Sequence, residues 1–180
     1  MTPARDDGYD IRTILGQMRE EYWQALSEEE AQAKEVLECL VFTLGGERFC
    51  FETHFASEVI RVPKLVRVPA VQSLITGIFN LRGEITAAMD IRPMLRLPQP
   101  EIAGAGRILV VKSSRFASGI MVEAALGVQG LCCDDFEPAT AAAARRQPFI
   151  RGHFNREGMS ITLLDMDALL ASPEIMVGEI

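Results

Sequence analysis

Gly77-Ile-Phe-Asn80-Leu-Arg-Gly83, followed after six residues by Asp90-Ile91, returns later in the chain as Gly152-His-Phe-Asn155-Arg-Glu-Gly158, six residues, and Asp165-Met166. Gly, Phe, Asn, Gly and Asp match at identical spacing, offset by 75 positions. Each copy reads as a strand, a tight turn, a second strand and a capped turn. Asn80 and Asn155 are suited to hydrogen-bond a turn backbone. Gly83 and Gly158 accept positive φ without a Cβ clash. Asp90 and Asp165 close the second strand and offer a cap to the helical turn that follows. Gly77 and Gly152 are grouped with these as structural turn residues. Two copies are too few for an open solenoid and predict two related halves packed together. Turn chemistry accounts for the shared Asn, Gly and Asp but leaves Arg82 unexplained, since the second copy carries Glu157 there.

Outward from the repeat, the texture is that of short strands. Leu37 to Leu44 and Arg48 to Phe51 flank Gly45-Gly46, a hairpin signal. Val59 to Val62 and Val66 to Val68 are each followed by proline, which pushes the preceding residue toward the β region. Ile78 to Leu81, Ile85 to Ile91, Ile108 to Val111, Ile120 to Val122, Phe149 to Phe154 and Ser160 to Leu164 continue the pattern. Pro93 to Leu97 reads as a helical turn, and Pro98 to Gly106 as an internal connector. Pro138 to Gln147 is Ala-rich and reads as a loop or a short surface helix. Asp165 to Ala171 suits a short terminal helix. Many short strands with glycine turns, and no long helices between them, predict a mainly β fold of small barrels or sandwiches.

The first 36 residues differ. Ile11, Ile14, Leu15, Met18, Tyr22 and Leu26 recur at helical spacing, with Asp10 as N-cap and Ser27 with Glu30 as a capping box. The stripe fits a helix covering the main domain or one that docks a partner. This segment holds four basic and nine acidic residues, a balance of −5 within a net charge of −7. The remainder therefore carries −2. That balance argues against general nucleic-acid binding, which needs a basic footprint. The expected organisation is a helical extension at 1–36, a main domain at 37–172 with one repeat copy in each half, and a tail at 173–180.

No apolar run reaches the ~18–20 residues that span a bilayer, and no signal-peptide layout is seen, so a cytoplasmic location is expected. Cys39 and Cys50 sit in apolar runs and read as core residues. Adjacent Cys132-Cys133 lacks zinc-ligand spacing, and no metal or cofactor is expected. A Cys-His pair such as Cys50 with His54 is the nucleophile-base arrangement considered, without a third orienting group or a phosphate loop. Aromatics are only 7% of the chain, too few for a nucleic-acid-binding face of stacked bases. An enzyme is therefore not expected.

Several segments in combination resemble the CheW family. They are Leu40-Val-Phe-Thr-Leu-Gly45, Glu58-Val59-Ile60, Asn80-Leu81-Arg82-Gly83 with Asp90, and Ile161 to Leu170. The likeness runs over about residues 37–172. It implies two packed five-stranded SH3-like β-barrels, with the N-terminal helical extension and a short C-terminal helix added. It also implies an adaptor that bridges chemoreceptor hairpin tips and the regulatory domain of a CheA-type histidine kinase, recruited to chemoreceptor arrays. By the same resemblance, Glu58 pairs with Arg82. Ala56, Ala125 and Val128 lie on partner-binding surfaces, Val128 in the place of a receptor-groove valine. The chain departs from the family pattern at Ala56 and Ala125 (often valine), Gly127 (often aspartate) and Ala87-Ala88 (often Pro-Val). The long extension fits an alternative, a divergent module that self-assembles or competes for the kinase in a pathway other than chemotaxis.

Overall fold

The computed structural model describes residues 19, 34–68, 74–99, 102, 106–112, 116–156 and 158–175. The helix read over Ile11 to Leu26 and the capping box after it lie outside these, save Arg19, which is helical and exposed. The chain divides into two compact units between Glu35 and Val36, and the second is the β body described below.

Among the described residues, eleven strands form two sheets. β1 (Val36–Leu44) and β2 (Glu47–Glu52) open the chain. β3 (Ala56–Arg61), β4 (Ile75–Leu81) and β5 (Glu84–Met89) follow. β6 (Arg107–Lys112), β7 (Ala117–Val122) and β8 (Ala124–Cys132) come next. β9 (Phe136–Pro138), β10 (Ile150–Arg156) and β11 (Met159–Leu164) complete the set. One sheet has the order β8-β1-β2-β11-β10-β9 and the other β3-β6-β7-β5-β4. The first thus has six strands where five were expected, the sixth being the three-residue β9.

The repeat explains this order. The first half of the body runs β1 to β5, the second β6 to β11. Each half gives its opening hairpin to one sheet and its closing strands to the other. The halves are therefore intertwined. The chain crosses between sheets at a 3₁₀ turn, Thr53–Phe55, and at Glu123. Pro98 to Gly106 joins β5 to β6 within one sheet. Two parallel pairings, β2 with β11 and β5 with β7, knit the halves together, and all other pairings are antiparallel. Even the irregularities correspond. A bulge interrupts β4–β5 between Ile75 and Gly77, and β10–β11 between Ile150 and Gly152.

Gly77 and Gly152 are therefore not turn residues. They lie mid-strand, just past these bulges. A Cβ on Gly77 would stand 2.8 Å from the carbonyl oxygen of Val66, and one on Gly152 would overlap that of Glu137. Val66 exchanges backbone hydrogen bonds with Ile78, as β9 pairs with β10. In both halves the glycine admits the neighbouring backbone.

Apolar side chains alternate between cores, which is why the strands read as near-continuous apolar runs. On β1, Leu40, Phe42 and Leu44 enter a central core shared by the two sheets, while Cys39 and Val41 enter a second core on the other face. On β6, Leu109 and Val111 face the shared core, and Ile108 and Val110 enter a third. Phe42 packs with Phe49 and Phe51 at ring-centroid distances of 6.2 and 5.6 Å. Burying each such side chain contributes about 1.5–3 kcal/mol.

Among the described residues of the body there are also two short helices. Helix α1 (Ala141–Arg146) is capped by Thr140, whose hydroxyl accepts from the Ala143 N–H. Helix α2 (Met166–Leu170) is capped by Asp165, whose carboxylate accepts from the Ala168 N–H at 2.9 Å. The shared core extends beyond residue 172. Ile175, assigned to the tail by sequence, is buried there, because a turn on Ser172 folds the chain back.

Candidate functional site: the end strands β3 and β8

β3 and β8 stand at the ends of the hydrogen-bonded order of their sheets, in equivalent places. The register makes the equivalence residue by residue. Ala56 pairs with Val111 and Glu58 with Val110, leaving Ser57 as an extra residue. Ala125 pairs with Phe42 and Gly127 with Val41, leaving Leu126 as an extra residue. Ala56 thus corresponds to Ala125, Glu58 to Gly127 and Val59 to Val128. Ala56 and Ala125 both pack half-buried against the shared core. Val59 and Val128 are 42% and 61% exposed. Such bulges twist an end strand and re-aim its side chains.

Arg82 reaches β3 from the β4–β5 turn. Leu81 pairs with Glu84, so the loop is Arg82-Gly83. Both residues have positive φ, 53° and 97°. This is the mirror-image turn that suits a two-residue hairpin. Asn80 secures it, its side-chain oxygen accepting from the Gly83 N–H at 2.7 Å. The Arg82 Nη2 donates to Glu58 Oε2 at 3.0 Å, with 80% of the arginine side chain exposed. The structure brings Ala56, Glu58 and Arg82 together on one sheet and leaves Ala125 and Val128 on the other. Asn155 occupies the end of β10, opposite Ser160, and Gly158 has φ of 76°. The second lobe has Gly127 and Glu157 in the places of Glu58 and Arg82, so this ion pair has no counterpart there.

Asp90 has a further role. Its carboxylate accepts from the Arg92 backbone N–H at 3.1 Å, from Nε at 2.9 Å and from Nη2 at 2.7 Å. Arg92 is only 5% exposed. The hydrogen bonds that Arg92 donates to Asp90 raise the guanidinium further above its ordinary range, and the Glu123 charge acts in the same direction. Glu123 in turn accepts from the N–H groups of Gly45 and Gly46, at 2.8 and 3.2 Å. Glu123 thereby ties the crossover between β7 and β8 to the β1–β2 turn. Sequence reading passed over Arg92 and Glu123 in this role because nothing in the spacing marks either as buried or bridging.

Ile85 is 77% exposed beside the Arg82 turn, and Val36, Val66 and Leu126 also present apolar surface. Alternation alone had placed Ile85 in a strand without giving its face. The Cys50–His54 pairing does not form. Cys50 is buried against Cys39, whose hydrogen bond, with burial, pushes its thiol upward. His54 lies 3.2 Å from Glu52 and is 62% exposed. Glu52 also pairs with Arg151. Cys132 and Cys133 are half-buried. Among the described residues no group of three or more His, Cys, Asp or Glu is placed to hold a metal ion. No helix among them is long and apolar enough to cross a membrane.

Two intertwined β lobes, each presenting an end strand, make up the described body. The chain belongs to the CheW-like domain family, which matches residues 38–174. PilI of Pseudomonas aeruginosa is 31% identical over 117 residues, 64% of this chain and 66% of that protein. The chemotaxis protein CheW of Bacillus subtilis is 26% identical over 141 residues, covering 78% of this chain and 90% of the other. FrzA of Myxococcus xanthus is 26% identical over 144 residues, with coverage of 78% and 89%. The fold matches the crystal structure of the scaffolding protein TtCheW from Thermoanaerobacter tengcongensis with a TM-score of 0.69. That match covers 79% of this chain and 93% of the other at 20% identity.

Proposed function

We propose that this protein is a non-enzymatic cytoplasmic adaptor that couples a chemoreceptor to a CheA-type histidine kinase within a receptor array. The observation that carries this reading is the inequality of two otherwise equivalent surfaces. β3 offers Ala56, the Glu58–Arg82 pair and Val59, whereas β8 offers Ala125, Gly127 and Val128. One face is ion-paired and the other small and apolar, which suits two different partners rather than two copies of one. End strands also present backbone groups to which a strand of a similar module can add. The kinase regulatory domain is such a module in this family, and the receptor hairpin tip is assigned to the Val128 side.

Differential docking supplies the mechanism. An adaptor that binds the receptor and kinase with affinities that depend on their arrangement transmits bias between them as a coupling free energy. An exposed ion pair contributes only about 0–1 kcal/mol to stability. Its value here lies in orienting the β3 face.

The test is a pull-down with purified kinase regulatory domain and receptor fragments, using wild type and Arg82→Glu. Wild type should capture both partners. Arg82→Glu should place two carboxylates side by side and weaken kinase capture while the chain remains folded. Undiminished affinity for both partners in that variant would remove Arg82 from the account. Capture of neither partner by wild type would favour the self-assembling or competing module.

A further inference from the structure

Away from β3 and β8, the inner strands of the six-stranded sheet form the floor of a hollow of about 590 Å³, walled by α1 and the Leu95–Leu97 turn. Half-buried Leu97 and Ile150 make its apolar floor, over core residues Phe49 and Leu95, and Ala142 and Ala143 of α1 its wall. Helix α1 is unusual for an Ala-rich helix in that none of its residues is buried. An amphipathic or apolar helix in a compact body normally covers something. Here its small apolar side chains line an open hollow.

Arg96 and Arg146 stand on the same lining. Among the described residues neither guanidinium is in an ion pair or hydrogen bond. Arg96 holds φ of 56°, a left-handed conformation that disfavours a non-glycine residue. Glu47 supplies the one carboxylate of the lining. The two arginines and Glu47 sum to +1 on a protein whose net charge is −7. His153 and Thr162 continue the lining, joined through Nδ1 and Oγ1 at 3.0 Å, with Thr162 itself buried. Beneath the hollow the strands are paired on both sides, so it offers no free strand edge to a peptide backbone. Its volume lies within the range of small-molecule pockets, which are largely apolar with a few placed polar groups.

We propose that this hollow binds a small organic anion with an apolar body, of the medium-chain carboxylate class. The chain rests on Leu97 and Ile150 beneath the α1 alanines, and the carboxylate is held by Arg96 and Arg146. A ligand here would give the adaptor an input separate from its end strands.

The experiment titrates the full chain with octanoate, 1-octanol and acetate, followed by backbone amide resonances. Octanoate should bind saturably and shift Leu95, Leu97, Ala142, Ala143 and Ile150. Octanol, which lacks the charge, should bind about tenfold more weakly, as expected for loss of charge-assisted hydrogen bonds. Acetate, which lacks the body, should not saturate. Arg96→Gln with Arg146→Gln should lower octanoate affinity about tenfold, and Ala142→Trp, on an exposed helix face, should block it with the fold intact. The proposal is overturned if octanoate fails to saturate, shifts resonances elsewhere, binds no better than octanol, or binds both variants as it binds wild type.

Discussion

Arg82 donates to Glu58 across 3.0 Å from a backbone held at φ of 53°. The left-handed conformation costs about 1–2 kcal/mol in a non-glycine residue. An exposed ion pair returns about 0–1 kcal/mol. The pair therefore does not offset the strain through stability, and the arginine is better explained by what its guanidinium meets outside the chain. Arg82→Gly relieves the turn and adds unfolded-state entropy, effects of similar size. Urea unfolding should show stability within about 1 kcal/mol of wild type, while kinase binding falls. Parallel loss of both would mean that Arg82 is a folding residue.

The mid-strand glycines set a second expectation. Gly77→Ala and Gly152→Ala each push a methyl against a neighbouring carbonyl. Overpacking of this kind costs about 1–3 kcal/mol. Gly152→Ala should be the more damaging, since its Cβ would meet both the Glu137 carbonyl and the Phe136 ring. Denaturant midpoints for the two variants check both the sign and the order.

Asp90 and Arg92 form a buried pair with more than one hydrogen bond between them. Removing one partner strands the other's charge. Arg92→Met should cost about 3–5 kcal/mol, and Asp90→Leu combined with Arg92→Met should recover much of that loss. A double-mutant cycle on thermal unfolding measures the coupling. Additive losses would show that the two side chains act separately.

The thiols divide by burial. Cys39 and Cys50 are inaccessible in the cores, and Cys50 is held protonated by burial and by Cys39. Alkylation of the native protein should label Cys132 and Cys133 and spare the other two, as read by peptide mass spectrometry. All four should react in denaturant. Rapid native labelling of Cys50 would contradict the core assignment.

Much of the architecture was legible because strands buried on both faces leave continuous apolar runs, as at Leu40 to Leu44 and Ile108 to Val111. The repeat was legible because turns and bulges demand particular residues, Asn80, Gly83, Gly158 and Asp165 among them. β8 was not read as a strand. Its sequence, AALGVQGLC, lacks alternation, since much of it faces outward and a bulge at Leu126 breaks its period. The glycines at 77 and 152 were grouped with turns because a close backbone approach leaves the same mark as a turn. The exchange of strands between halves was hidden because distant pairings, such as Leu40 with Val128 and Phe49 with Thr162, leave no local signal. At the site, the Glu58–Arg82 pair came from family resemblance, and the structure places the two side chains in contact. The exposed apolar residues Ile85 and Leu126 needed the sheet register to reveal their faces.

The adaptor reading is tested most directly by stoichiometry. Purified chain, kinase regulatory domain and receptor fragment are mixed and resolved by size-exclusion chromatography with light scattering. Two unequal faces predict a ternary complex containing all three components, reduced to a receptor-containing binary complex by Arg82→Glu. Mutually exclusive binding, in which the kinase domain displaces the receptor fragment from the chain, would contradict coupling through separate surfaces.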